Sequence, residues 1–366
     1  MPFCSRRCHY CDFYSVVDTP RRRAMFGDRL IEETKAAHAY FQGPVETLFV
    51  GGGTPSVLEP RVWDRLFRAV AVNLPLAESA EFTVEANPES LTAELAAVLA
   101  SGGVNRISLG AQSFNRRQLA TLQREHEPAA VPRSIEHCRA AGIHNISLDL
   151  IFAIPGQSRE DWLADLDRAV ELSPDHLSCY GLTYEPGTPL TQAVEEGRIR
   201  PADEELEVSM YEAAIDRLAE AGFEHYEISN WARPGRRCRH NLGYWHNCDY
   251  WPLGPAAAGH VAGLRWKNRP DLDEYLAQGP LPPIVEVERP NDDREAGEEL
   301  MLGLRLIEGL PQSQVETILV RGRRGKDRAA AIDRHIDGDL LVRADGRLRL
   351  TRRGLLLADT VLADLV

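Results

Sequence analysis

The 366-residue sequence predicts an α/β fold: a partial (β/α)6 barrel followed by a helical, winged-helix-like tail. Two observations lead there. Short apolar runs alternate with amphipathic stretches through the first half, as βα units around a parallel sheet require. After Leu190 the alternation stops, and the chain ends in helical stretches and a hairpin pattern.

The strand candidates are Thr47–Val50, Glu81–Glu85, Arg106–Leu109, His144–Ile151 and His176–Tyr180. Between them lie helical stretches at Phe26–Tyr40, Arg61–Val72, Thr92–Ser101, Val131–Ala141 and Arg159–Glu171. The first four strands run into GGGTPS, EANPES, GAQSFN and IPGQS, all glycine-rich, polar or carboxylate-bearing. In βα barrels the loops after the strands build the active site, so these four are its expected walls. A helix at Ala202–Ala221 leads into a stretch dense in aromatics, His and Arg, from His225 to Trp266. The prolines from Pro280 to Pro290 read as a linker. A helix at Glu295–Glu308, a hairpin of Leu340–Val342 and Leu348–Leu350, and a final helix at Gly354–Leu365 complete the tail. The basic cluster Arg321, Arg323, Arg324, Lys326 and Arg328 fits a solvated loop better than a nucleic-acid contact.

Forty-two basic against 55 acidic residues give a formal charge of −13, so no global positive field favours nucleic acid. No apolar run approaches the roughly 20 residues that span a bilayer. Seven cysteines, an odd number, suit thiols kept reduced, and a cytoplasmic location is expected.

Cys4, Cys8 and Cys11 are spaced C-x3-C-x2-C. Three thiolates so close can wrap one face of an iron–sulfur cube and leave one iron open, as a catalytic cluster needs. A zinc knot is the alternative, but it requires a fourth ligand, and His9 is badly placed to join.

Several further motifs carry a resemblance. The cysteine loop is similar to that of the radical S-adenosylmethionine (SAM) superfamily. Gly51-Gly-Gly-Thr-Pro-Ser56, Glu85-Ala-Asn-Pro88, Gly110-Ala-Gln-Ser-Phe114, Arg124-Glu-His126 and Asp149 to Gln157 resemble, in order and spacing, the oxygen-independent coproporphyrinogen dehydrogenase family. Leu300 to Arg305 and Leu350 to Gly354 extend the resemblance over nearly the whole chain. It implies a [4Fe–4S] cluster on Cys4, Cys8 and Cys11, with SAM chelated at the open iron. An electron through the cluster then breaks a C–S bond and yields a 5′-deoxyadenosyl radical. Gly51, Gly52, Gly53 and Thr54 are implied to approach the methionyl group, the glycines offering N–H donors without Cβ crowding. Glu85, Gln112, Arg124 and Asp149 would partner SAM's ammonium, carboxylate and ribose. Tyr10 would lie near the adenine. A flavodoxin- or ferredoxin-type protein would supply the electron.

Two features choose a branch. The dehydrogenases continue their motif to a fourth cysteine, where this chain has Phe13. His240-Asn-Leu-Gly-Tyr244-Trp245 resembles the H-N-x-x-Tyr-Trp motif of the HemW haem chaperones. That resemblance implies haem as ligand, a haem-acceptor protein as partner and His240 as axial ligand, the commonest haem ligand being imidazole. A hydrogen-bonded packing role is the other reading of His240. Arg233, Arg236, Arg237 and Arg239 would pair the haem propionates. Coproporphyrinogen III oxidation and a structural metal-binding barrel without SAM chemistry remain alternatives. The expected division is residues 1–230 as radical SAM partial barrel, 231–285 as haem-motif segment and linker, and 286–366 as a HemN-like C-terminal domain. Only three residues precede Cys4, so an upstream first strand is expected to be missing, with an unpaired sheet edge and a poorly anchored cysteine loop.

Overall fold

The computed structural model describes every residue except Gln42. The parallel sheet alternates with helices as follows: α1 Pro20–Ala37, β1 Val45–Val50, α2 Pro60–Asn73, β2 Leu76–Ala86, α3 Ala93–Ser101, β3 Arg106–Gln112, α4 Arg116–Thr121, α5 Ala130–Ala140, β4 Asn145–Phe152, α6 Arg159–Glu171 and β5 His176–Gly181. Helices α7 Pro189–Glu195 and α8 Glu204–Glu220 lead to the short strands β6 Glu224–Glu227 and β7 Asn230–Ala232. All seven strands form one sheet in the order β1-β2-β3-β4-β5-β7-β6, parallel from β1 to β5 and antiparallel beyond. Strands β3 and β4 are almost wholly buried, yet their apolar residues Ile107, Leu109, Ile146 and Leu148 alternate with polar ones such as Ser108 and Asp149, so one face packs on the core and the other carries polar groups. Helix starts follow local chemistry. Thr92 accepts from the Leu95 N–H at the head of α3, and Ser158 with Asp161 forms a reciprocal capping box on α6.

The middle of the chain holds helix α9 Arg239–Trp245, strands β8 Ala258–Val261 and β9 Leu264–Asn268, helix α10 Leu272–Ala277 and strand β10 Ile284–Glu288. The expected linker at Pro280–Pro290 is corrected here, because β10 pairs antiparallel with β9. The tail comprises α11 Asp292–Gly303, β11 Leu310–Pro311, α12 Gln312–Leu319, α13 Gly325–Asp337, the hairpin β12 Leu341–Ala344 with β13 Arg347–Leu350, and α14 Arg352–Leu356 with α15 Ala358–Ala363. The single final helix expected there is two short ones. Leu300, Val315, Ile332, Leu348 and Val361 close a core separate from that under the large sheet. Two members of the basic cluster are spent inside the tail, Arg321 pairing Glu299 at 2.7 Å and Arg328 donating to the Leu365 carbonyl at 2.8 Å, while Arg323, Arg324 and Lys326 stay exposed.

Strand β1 is the outer strand of its sheet. The cysteine loop beside it is nevertheless firmly held, contrary to the sequence expectation. Cys4 N–H donates to Val16 O at 3.0 Å and Val16 N–H to Pro2 O at 2.7 Å. Gly53 N–H donates to Met1 O at 2.7 Å and Thr54 N–H to Phe3 O at 2.6 Å. Phe3, 1% exposed, plugs into the core edge-on against Phe26.

Candidate cofactor site and adjoining cavity

The cysteine loop lies over the ends of β1 to β3. Thr54 Oγ1 donates to Cys4 Sγ at 3.5 Å, and Arg124 Nη1 donates to Cys8 Sγ at 3.7 Å. Burial pushes the Cys4 and Cys11 thiols up, and the neighbouring thiols add to it. A bound metal's charge reverses that balance and draws off the protons. Tyr10, beside Cys11, packs among Leu122, Ile151 and Leu190, and burial raises its phenol.

Below the loop, β2, β3, β4 and β5 present polar side chains in register. Glu85 stands opposite Ser108, and Asp149 opposite Gly110 and Ser178. Ser108 Oγ donates to both Asp149 oxygens, at 3.0 and 3.1 Å. Burial first, and then the Asp149 charge, pushes Glu85 up to about 7, against the opposing Gly52 N–H at 3.1 Å. Asp149 is likewise raised by burial, with Ser178 and Ser108 resisting. Both carboxyls lie deep in the concavity, hemmed in by protein yet reachable by solvent. Gln112 adopts φ 61° at a bulge in β3, which re-aims its side chain at the strand end.

Arg124 ties the site together. Its Nη2 donates to Asn87 Oδ1 and to Gly110 O, both at 2.8 Å, while its buried Nε has no partner within the chain. Asn87 Nδ2 in turn donates to Thr54 Oγ1 at 3.2 Å. Asn87 was quoted in the Glu85–Pro88 motif but given no role; its position between two motifs is visible only in three dimensions. The chemistry of this donor set suits a cluster and SAM: three thiols on one loop, with a hydroxyl on Cys4 and a guanidinium on Cys8, two recessed carboxyls and one orphaned cationic N–H. Among the described residues, however, no three His, Cys, Asp or Glu side chains converge closely enough to hold a metal ion as they stand.

The triple glycine works differently from the expectation. A Cβ on Gly51 would lie 2.6 Å from the Glu85 carboxyl, and one on Gly53 2.6 Å from Phe3 O. The N–H groups of Gly52, Gly53 and Thr54 are committed to Glu85, Met1 and Phe3. The glycines therefore serve close packing of the chain on itself rather than free donors.

His240 sits on α9, which is held against β1 by Glu81. That carboxylate accepts from Arg239 N–H at 3.0 Å, from His240 N–H at 3.1 Å and from the Cys238 thiol. The imidazole stacks on Phe49, with centroids 5.0 Å apart at 21°. Its Nδ1 lies 2.8 Å from Thr47 Oγ1 and its Nε2 2.9 Å from the Tyr244 hydroxyl. Burial pushes the ring down to about 4, so it is neutral far below the ordinary histidine range. Thr47 and Glu81 carried no sequence signal, since each lies more than 150 residues from the motif it supports.

The four arginines expected to face propionates are mostly engaged elsewhere. Arg233 donates to Ala221 O and lies 4.1 Å over the Phe223 ring. Arg236 pairs Asp175 at 3.3 Å, Arg237 pairs Glu224 at 3.3 Å, and Arg239 pairs Glu46 at 2.6 Å. Only Arg239 of the four lines the adjoining cavity. That cavity, about 1000 Å³, follows the outer edge of β1. Its wall runs from Gly51 and Gly52 to His240, Tyr244 and Trp251.

Comparison with known proteins agrees with this architecture. The Radical SAM superfamily model matches residues 1–169, and the HemN C-terminal domain model matches residues 292–357. The structure of coproporphyrinogen III oxidase (HemN) from Escherichia coli, described as a radical SAM enzyme, superposes with a TM-score of 0.85 at 20% identity, covering 100% of this chain and 88% of that one. Fold and domain matches thus define a radical SAM protein with a HemN-type C-terminal domain. "Heme chaperone HemW" of Mycobacterium tuberculosis is 39% identical over 374 residues, covering 100% of this chain and 93% of the relative. The Bacillus subtilis protein of the same name is 32% identical, covering 99% and 96%. The chain belongs to the HemW haem chaperone family. Membership implies a [4Fe–4S] cluster and SAM.

Proposed function

We propose that this protein binds haem in the β1-edge cavity, beside a SAM-ligated [4Fe–4S] cluster on Cys4, Cys8 and Cys11, and passes the haem to an acceptor protein. The observation that carries this reading is the continuity of one cavity wall from the Gly51–Gly52 edge of the cofactor site to His240. About 1000 Å³ is at the upper end for small-molecule sites and suits a broad, flat ligand. Phe49 and Trp251 supply apolar wall, and His240 supplies a neutral imidazole.

When bound, cluster and SAM supply one-electron chemistry that breaks a C–S bond, the electron coming from a flavodoxin- or ferredoxin-type donor. The chain's own part is positional. Arg124 and Thr54 direct positive charge and a hydroxyl at thiolate sulfur, which stabilises the ionised ligands. Glu85 and Asp149 offer carboxyls to an ammonium and to hydroxyls; an ammonium beside Glu85 draws that carboxyl's pKa down again. Tyr10 closes an apolar side. A reducing, cytoplasmic setting suits seven cysteines without a disulfide. Among the described residues no helix is long and apolar enough to cross a membrane.

The test is anaerobic reconstitution followed by haem titration, a 5′-deoxyadenosine assay and product analysis with coproporphyrinogen III. Stoichiometric haem binding without decarboxylated product is expected. Decarboxylated product would replace the chaperone reading with the oxidase reading. Absence of haem binding would remove the chaperone reading.

A further inference from the structure

His240 is not presented to the cavity as a free ligand: each ring nitrogen has a hydroxyl of this chain against it. Thr47 Oγ1 stands 2.8 Å from Nδ1 and the Tyr244 hydroxyl 2.9 Å from Nε2. A neutral imidazole carries one N–H and one lone pair, so one contact must be a donation by the ring and the other an acceptance. A phenol is the better donor of the two hydroxyls and an aliphatic alcohol the better acceptor. On that ranking we assign the ring proton to Nδ1, facing Thr47, with Tyr244 donating to the lone pair of Nε2. The Phe49 stack fixes the ring plane between them. Thr47 lies on β1 and Tyr244 one turn beyond His240 on α9, so one contact comes from the sheet and the other from the ligand's own helix.

We propose that Thr47 and Tyr244 are opposed positioning residues for His240: Thr47 fixes the tautomer that leaves Nε2 as ligand, and Tyr244 caps that nitrogen until an iron porphyrin displaces its hydroxyl. This rests on His240 being the axial ligand, as proposed above. A ligand's second nitrogen is usually held by a partner that sets its tautomer and basicity, which is the geometry at Thr47. The Tyr244 contact works the other way, since its hydrogen bond must break before a metal bond forms. The cap selects for ligands that ligate. A metal-free porphyrin offers nothing for Nε2 and leaves Tyr244 in place, whereas iron exchanges a hydrogen bond for a coordinate bond. The freed phenol keeps its packing, since its ring also stands edge-on to Tyr250 at 4.8 Å.

The two residues predict effects of opposite sign. In the full-length, cluster-reconstituted protein, Tyr244→Phe removes the cap and keeps the ring. Hemin should bind roughly threefold to tenfold tighter, the weight of one hydrogen bond no longer broken. Thr47→Val keeps the volume and removes the acceptor, and hemin should bind roughly tenfold or more weakly. Metal-free protoporphyrin IX should bind both variants as it binds the parent chain. A haem-independent readout is acylation of His240 by diethyl pyrocarbonate, which needs a free ring lone pair and should be faster in Tyr244→Phe. Weaker or unchanged hemin binding by Tyr244→Phe overturns the cap, as does unchanged acylation. A parallel change in protoporphyrin affinity also overturns it, because the effect is then on cavity shape. If His240→Ala binds hemin with unaltered affinity and spectrum, the axial-ligand reading itself fails. The acylation rates still report whether Tyr244 caps the ring.

Discussion

The cofactor end of the sheet and the His240 wall border one cavity, but they are built on different principles. At the cofactor end almost every polar group has a partner from another motif: Thr54 reaches Cys4, Asn87 reaches Thr54, Arg124 reaches Asn87, Gly110 and Cys8. At the His240 wall a single imidazole is held by two hydroxyls and an aromatic stack. A site with many interlocked charges is preorganised, because no member moves without stranding another in a low-dielectric setting. Glu81 anchors the backbone of that helix, but an imidazole ring held by two neutral hydrogen bonds gives way at a cost of about 1 kcal/mol each, and so suits a cargo that must enter and leave.

If that contrast holds, damage at the cofactor end should be severe and shared. Cys4→Ala, Cys8→Ala or Cys11→Ala should each remove most of the iron, read by iron and sulfide content. Cys138→Ala, Cys179→Ala, Cys238→Ala and Cys248→Ala should retain it. Iron loss from Cys238→Ala or Cys248→Ala would break the assignment of three ligands with one open iron. Next in size, Arg124→Ala strands Asn87 Oδ1 and Gly110 O and removes the positive charge near Cys8. Affinity for S-adenosylhomocysteine, measured calorimetrically, should drop by about tenfold or more. Unchanged affinity would mean that Arg124 only braces the loop.

On the other side of the comparison, His240→Ala should weaken hemin binding while iron content and S-adenosylhomocysteine affinity stay put. Loss of all three together would show that the two regions are one cooperative unit. The pH response sharpens this further. A neutral ring must ligate, and burial holds His240 neutral down to about pH 4. Hemin affinity should therefore stay level through pH 6.5, where an exposed histidine ligand would already be losing it. A midpoint near 6.5 would place the ligand on a more exposed ring, with His246 the next to test.

The smallest effect expected is on stability in acid. His225 stacks on Trp231 with centroids 4.2 Å apart, and burial lowers it to about 4. Its folded-state pKa lies below the unfolded 6.5, so the unfolded chain takes up the proton first. The contribution is complete above pH 6.5 and is lost as pH falls towards 4. At pH 5.5 this site alone should cost on the order of 1 kcal/mol relative to neutral pH. A denaturant titration of His225→Phe, less sensitive to acid by that amount, checks it.

The sequence by itself determined the βα alternation, the C-x3-C-x2-C loop that marks the family and the polar strand ends, because those depend on local periodicity and short spacing. Helix α6 falls on the residues its pattern marks, bounded by a serine cap the sequence displays. The Pro280–Pro290 stretch misled, because proline at a strand's margin and proline in a free linker look alike until β9 is seen beside it. Tertiary structure alone decided what the functional groups do. The Gly52 and Gly53 donors face Glu85 and Met1, the arginines near His240 face the protein's own carboxylates, and Glu81, Thr47 and Asn87 enter the sites from distant strands. A side chain's neighbours across a sheet are set by register and by the path of the chain between strands. Neither is written in the residues next to it.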